Sequence, residues 1–267
     1  MKSIKALAYY GVSAFEMLVH FRQVHRLVPL FISRNKSRSL VLRFRKIPIQ
    51  FSVRGAMDVW SIKETFIDAF YTRYGTPIHD GWQVIDIGAG IGDFSIFAAH
   101  NRPDAVVYAY EPFPESHRLL IENLSLNGIE NVHPFQQAVW SCEDQLSLDV
   151  SAGEPLQIAS QTTAGMHEDD GLIKVGAISL EQVVDTHHLE QVDLLKLDCE
   201  GAEYEILFCT PASVFLRIDH IIMEYHDLDD ERNHRKMISF LQEMGFSVNA
   251  NANFVHENIG YLYASRI

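Results

Sequence analysis

Residues 84–95 read Val-Ile-Asp-Ile-Gly-Ala-Gly-Ile-Gly-Asp-Phe-Ser, and Tyr108-Ala-Tyr-Glu-Pro follows one helix length later. An apolar run that enters a Gly-x-Gly-x-Gly turn (Gly88, Gly90, Gly92) is the pattern of a buried strand passing tightly into a helix. Asp86 stands two positions before the turn, and a second acid, Glu111, closes the next strand. A carboxylate there can accept both hydroxyls of a ribose, in charge-assisted bonds worth roughly 1.5–3 kcal/mol each. The stretch predicts an α/β sheet with a nucleoside pocket at its carboxyl edge.

Outward from this stretch, strand and helix patterns alternate, the sign of a parallel sheet. Strands are expected at 83–87, 105–110, 132–139, 192–198 and 218–225, with helices at 92–100, 115–127, 179–187 and 230–244. Two last strands, near 246–250 and 259–264, leave no room for a crossover helix and must be antiparallel neighbours. The expected fold is a doubly wound, mostly parallel seven-stranded sheet that ends in a reversed pair. Residues 141–178 are long for a connection and carry alternating pieces at 145–150 and 172–178, as an inserted hairpin or lid would. On the amino-terminal side, 40–53 reads as a hairpin and 61–74 as a helix with Ile62, Phe66, Ala69 and Phe70 on one face. These patterns divide the chain into an extension at 1–78 and a nucleoside-binding domain at 79–267.

Charge separates two cofactors that fit such a pocket. A pyrophosphate favours the positive end of a helix and is repelled by carboxylates. Asp86 ends the strand and Asp93 opens the helix, which suits a cationic sulfonium and favours S-adenosylmethionine over a dinucleotide. Asp86-Ile-Gly-Ala-Gly-Ile-Gly-Asp93, Tyr110-Glu-Pro112, Gln137-Ala-Val139, Ser179-Leu-Glu181 and Lys196-Leu-Asp-Cys-Glu-Gly-Ala-Glu203 together resemble the FkbM-type branch of class I methyltransferases, over roughly residues 80–250. The resemblance implies a Rossmann-like fold, S-adenosyl-L-methionine as cofactor, and methylation of a hydroxyl on a sugar or polyketide-like molecule. The cofactor is expected against Asp86, Gly88, Gly90, Gly92, Asp93, Glu111, Pro112, Ala138, Val139 and Asp198.

An alcohol is a weak nucleophile and calls for a general base. Glu200 and His226 are the candidates, with Asp198 orienting substrate or cofactor, because all three fall at the carboxyl ends of neighbouring strands. Lys196 shares a sheet face with Asp198 and is expected to pair with a carboxylate. No diagnostic metal-ligand spacing is present, so no metal is assigned. Asp198 and Glu224, with Glu200 or His226, are nevertheless the residue types that hold a hard divalent cation. The segment after the fourth strand lacks the Asn/Asp-Pro-Pro-Tyr element of amino-directed enzymes. Acidic neighbours weaken Cys199 as a nucleophile, and the acidic edge disfavours a nucleic-acid substrate. The rival readings are a dinucleotide-dependent oxidoreductase and a non-catalytic nucleoside-binding module.

The net charge of −13 is unevenly spread: residues 1–60 hold 11 Lys/Arg and two acids, the remainder 11 and 33. Such a basic end either docks on its own acidic domain or meets an anionic surface. Phe15, Leu18, Val19, Arg22 and Arg26 have the spacing of a helix with an apolar stripe and a basic edge, so residues 1–38 are a candidate for peripheral membrane contact. No run of about 18 uncharged apolar residues is present to span a bilayer. Three cysteines without Cys-x-x-Cys spacing fit a reducing, cytoplasmic compartment. Nothing in the sequence sets an oligomeric state.

Overall fold

A computed structural model describes residues 4–22, 24–32, 40–142, 144–149, 158–159, 172–253, 255–256 and 258–267. Much of the expected insertion at 141–178 and the ends of segment 1–38 lie outside these residues. The chain opens with helices α1 (Ile4–His20) and α2 (Val24–Ile32), strands β1 (Leu40–Arg43) and β2 (Gln50–Val53), and helices α3 (Ala56–Phe66) and α4 (Phe70–Arg73). Then come β3 (Gln83–Ile87), α5 (Asp93–Ala99), β4 (Val106–Tyr110), α6 (Pro114–Asn127), β5 (Val132–Phe135) and β6 (Ala138–Trp140). These are followed by β7 (Asp144–Asp149), β8 (Ile158–Ala159), β9 (Leu172–Ser179), α7 (Leu180–Thr186) and β10 (Val192–Leu197). The chain closes with α8 (Glu203–Phe208), α9 (Ala212–Phe215), β11 (Ile218–His226), α10 (His234–Glu243), β12 (Phe246–Ala252) and β13 (Ile259–Arg266).

The main sheet has seven strands in the order β12-β13-β11-β10-β3-β4-β5. Six run in one direction, and only β13 is reversed, antiparallel to both β11 and β12, as the short connection requires. Strand order reverses between β3 and β10, so the crevice outside their carboxyl ends is the place where an open α/β sheet takes a ligand. Period-2 alternation sends side chains to two cores. Ile85, Ile87, Leu195 and Leu197 join Leu180, Tyr204, Phe215 and Met237 on one face. Val84, Leu194 and Ile222 join Phe21, Phe51, Ile62, Phe94 and Leu120 on the other. The amino-terminal helices and hairpin therefore share a core with the second face.

Several elements depart from the sequence pattern for local reasons. The expected strand 132–139 divides: β5 pairs with β4 as an edge strand, where Pro134 costs no ladder bond, and β6 leaves to pair with β9. The second sheet, ordered β6-β9-β7-β8, contains the alternating pieces of the insertion. The expected helix 61–74 begins earlier and breaks in two. Asp58 in the first turn accepts the Arg54 N–H at 2.6 Å, and Ala69 has a φ of 53°, which no continuing helix tolerates. The stripe from Phe15 to Arg26 is likewise two helices. Phe21 forms a bridge to Phe44, and the Arg22 N–H donates to the Arg43 carbonyl at 2.9 Å. Among the described residues no helix is long and apolar enough to cross a membrane.

Asn123 ties the hairpin to the glycine turn. Fully buried on α6, it accepts the Ser52 N–H at 2.6 Å and donates to the Ile91 carbonyl at 2.9 Å. Asn123→Ala leaves both groups without a partner away from water, and each such group costs about 1–3 kcal/mol. Urea unfolding is expected to show a loss of about 2–4 kcal/mol, against less than about 1 for the half-exposed Asn131→Ala.

Candidate active site

The carboxyl ends of β3, β4, β10 and β11 surround a cavity of about 380 Å³. The glycine turn forms one end. Gly88 has a φ of 74°, and a Cβ there would lie 1.8 Å from the Asp198 carbonyl oxygen. Only glycine lets the end of β10 close on the turn. Gly90, with φ 54°, faces open space and presents bare backbone to a ligand. Its N–H donates to Glu111 Oε2 at 2.8 Å, and the Phe113 N–H donates to Oε1 at 2.8 Å. Each carboxylate oxygen retains a lone pair for another donor. Burial pushes Glu111 up to about 7 in spite of these two bonds, so a bound diol would supply stabilisation the carboxylate lacks.

The expected cofactor residues divide by location. Gly88, Gly90, Asp93, Glu111, Pro112, Ala138, Val139 and Asp198 line the cavity; Asp86 and Gly92 do not. Asp86 is fully buried, 2.9 Å from Lys196 Nζ through Oδ1, and accepts the Ser95 hydroxyl at 2.6 Å through Oδ2. Lys196 also donates to the Gly88 carbonyl at 2.9 Å. Burial alone would lower the Lys196 pKa, but Asp86 and Asp198 more than reverse this and keep it charged. Asp86 therefore holds the turn through Lys196. Gly92 faces Leu120, which a Cβ would strike at 2.3 Å. Asp93 accepts the Thr65 hydroxyl, and burial pushes it up to about 6. The aromatic rings of Phe113, Phe135 and Trp140 lie off the cavity; Phe135 stacks on Tyr110 at 4.9 Å.

The second end gathers the expected catalytic residues. Asp198 accepts the Tyr71 hydroxyl at 2.8 Å. His226 lies between two acids, with Nδ1 3.3 Å from Glu203 Oε1 and Nε2 3.5 Å from Glu200 Oε2. Glu203 also accepts the Cys199 N–H at 3.1 Å, which fixes the turn after β10. Burial by itself lowers the His226 pKa; the bond and charge of Glu203, with Glu200 and Asp198, outweigh it and raise it to about 10. The direction of this shift favours the imidazolium form at neutral pH, which has no lone pair with which to accept a proton. Glu200 is pushed up to about 7 by burial and the Asp198 charge, and stands in the left-handed region at φ 55°. Non-glycine residues occupy that region at a cost, often at functional sites.

No sequence motif signals the amino-terminal contribution to the cavity. From α3 and α4, Trp60, Glu64 and Tyr71 line the same cavity. The Trp60 indole donates to Glu64 Oε1 at 2.8 Å, while burial, with Asp198 and Asp68, pushes Glu64 up to about 8. Burial and the Asp198 and Glu64 charges raise Glu224 well above the carboxylate range. Seven carboxylates line the cavity against two Lys/Arg, one of which, Arg54, is 2.8 Å from Asp58. Such a lining attracts a cation and repels a pyrophosphate. Asp198, Glu224 and His226 also place ligand atoms within 4.8 Å of one another, close enough to share a hard divalent cation once His226 gives up its proton.

Residues 86–248 match the sequence model of the methyltransferase FkbM domain. The chain is 24% identical over 213 residues to 31-O-demethyl-FK506 methyltransferase FkbM of Streptomyces tacrolimicus, covering 70% of this chain and 80% of that protein. It is 24% identical over 191 residues to hexuronic acid methyltransferase AglP of Haloferax volcanii, covering 71% and 75%. Among solved structures, methyltransferase FkbM of Methylobacillus flagellatus aligns over 73% of this chain and 47% of that one, with a TM-score of 0.49 and 12% identity. With more than half its length matched and a bare-backbone cradle beside Glu111 at the sheet's switch point, the chain belongs to the FkbM-domain methyltransferases, and its cofactor is S-adenosylmethionine.

Proposed function

We propose that this methyltransferase acts on a hydroxyl oxygen of a sugar, glycan or polyketide-like small molecule, with residues 1–78 as an extension that walls the acceptor end of a catalytic domain at 79–267. The observation that carries this reading is the Glu200 carboxylate at the acid-rich end of the cavity, pushed up to about 7 by burial and the Asp198 charge and so matched to taking a proton from an acceptor near neutral pH. Two relatives named for 31-O-demethyl-FK506 and a hexuronic acid are in keeping with an oxygenated acceptor. The unpaired cysteines at 142, 199 and 209 accord with a cytoplasmic setting.

The residues present fit the cofactor: Gly88 and Gly90 leave room for its close approach, Glu111 has lone pairs for the ribose, and the acidic lining suits its charge. When bound, S-adenosylmethionine supplies an electrophilic methyl on a cationic sulfur. The chain's part is to hold the acceptor oxygen in line, for which orientation alone can supply about 7–11 kcal/mol. Glu200 takes the hydroxyl proton as the oxygen forms its new bond. His226, protonated and braced by Glu203, steadies the Glu200 carboxylate. Tyr71 holds Asp198 as a fixed acceptor for a neighbouring substrate hydroxyl.

Incubation with methyl-labelled S-adenosylmethionine and a mixture of sugars, glycans and polyketides is expected to place label on oxygen; label only on nitrogen or carbon would overturn the reading. Glu200→Gln is expected to lower kcat by about 10²–10⁴-fold with cofactor affinity unchanged. Wild-type kcat should rise with pH through about 7 and then level. Near-normal turnover by the variant moves the base elsewhere. Glu64 gives a separate pH test. Its carboxyl is raised from 4.5 to about 8 in the folded chain, so the stability it contributes is complete below pH 4.5 and is lost as pH climbs through 8. Glu64→Gln should therefore melt with the wild type at pH 4.5 and above it at pH 9, read by thermal unfolding without cofactor.

A further inference from the structure

Helix α1 has two apolar faces, and among the described residues one of them is covered. Ser13, Met17 and Phe21 are buried against the domain, and the Tyr9 and Tyr10 rings pack on Trp60 at 5.8 and 5.7 Å. The opposite face exposes Val12 (57%), Phe15 (65%), Leu18 (52%) and Val19 (40%). At 100° per residue these four fall within about 120° of the helix circumference, a continuous stripe rather than scattered surface residues. Phe31 on α2 and Ile47 in the β1–β2 turn extend the exposure. Six of the twelve exposed large hydrophobics among the described residues thus lie within residues 12–47.

A basic collar stands at the carboxyl end of this stripe. Arg22 donates from Nε to the Phe44 carbonyl at 3.2 Å, and Arg45 donates from Nε to the Phe21 carbonyl at 2.8 Å. These bonds fix both arginines where α1 meets the hairpin, and both side chains remain exposed together with Arg26 and Lys46. Glu16 is the one acid in residues 1–57, and it is 3.2 Å from Lys63 on the domain side. Among the described residues no salt bridge is formed by Arg22, Arg26, Arg45 or Lys46, while the rest of the chain is strongly acidic. An anionic bilayer offers both complements, acyl chains for the stripe and headgroup phosphates for the collar, and the net negative charge of the remaining chain disfavours approach by the acidic domain. A second copy packed face to face on the same stripe would bring an identical basic collar against this one.

We propose that α1 and the β1–β2 turn form a peripheral docking face for an anionic lipid surface, with Phe15 and Val19 entering the acyl boundary and Arg22, Arg26, Arg45 and Lys46 meeting the headgroups. This face stands apart from the methyl-transfer site, although Trp60, against which α1 packs, also lines the cavity. A lipid-carried acceptor would therefore be held about one helix width from the cavity wall.

Sedimentation of the full chain with phosphatidylcholine–phosphatidylserine vesicles, beside pure phosphatidylcholine vesicles, tests the proposal. Binding is expected to the mixed vesicles and to weaken with added salt. It should fall about tenfold or more in Phe15→Glu/Val19→Glu and in Arg22→Gln/Arg26→Gln/Lys46→Gln. Affinity for S-adenosylhomocysteine should be unchanged in both variants, which separates lost docking from lost folding. Absence of vesicle binding by the full chain overturns the proposal, as does equal binding by the variants. A dimer in sedimentation velocity that Phe15→Glu/Val19→Glu dissolves, without vesicle binding, assigns the face to a second copy instead.

Discussion

The buried ammonium of Lys196 is the interaction on which the site depends. It lies between the Asp86 carboxylate and the Gly88 carbonyl, and Lys196 is the direct register neighbour of Asp86 across β10 and β3. A charge removed from water at that depth is tolerated only because a carboxylate and a carbonyl dipole receive it together. One contact thereby joins the two strands flanking the switch point and fixes the first glycine of the turn. The close approach of the Asp198 carbonyl to Gly88 adds a steric limit from the same side. Loss of either partner leaves an unpaired charge in the core and frees the turn that presents Gly90 to Glu111.

The opposite end of the cavity is organised by crowding rather than neutralisation. Glu64, Asp198, Glu200 and Glu224 come from three different segments of the chain, and burial together with mutual repulsion pushes Glu64, Glu200 and Glu224 above the ordinary carboxylate range. Lys196 is committed to Asp86 and the Gly88 carbonyl. His226 is the nearby cation, and Glu203 holds it in place from behind. This polarity divides the cavity into one end where ordered N–H donors hold the Glu111 carboxylate and an acid-rich end at Glu64, Asp198, Glu200 and Glu224.

The glycine turn, Glu111, the parallel alternation and the reversed last pair were readable because each follows from backbone geometry within a short window. Asp86 was read as facing the ligand, because a sequence shows that an acid ends a strand but not which charge on the next strand meets it. The pairing expected for Lys196 needed only its strand face; its partner needed the β3–β10 register. Glu64, Trp60 and Tyr71 carry no motif, and their place in the cavity arises from α3 and α4 folding over the sheet, with Thr65 bonded to Asp93. The break at Ala69 was equally hidden, since a left-handed alanine is set by tertiary contacts and not by its own preference. His226 was legible in position but not in protonation, which depends on Glu203 behind it.

A crystal structure of the chain with S-adenosylhomocysteine tests the account most directly. The account predicts both ribose hydroxyls on the Glu111 carboxylate, ligand backbone contact at Gly88 and Gly90, and the sulfur directed toward the Asp198–Glu200 end. A ligand whose ribose lies away from Glu111, or whose sulfur faces away from those acids, would contradict it.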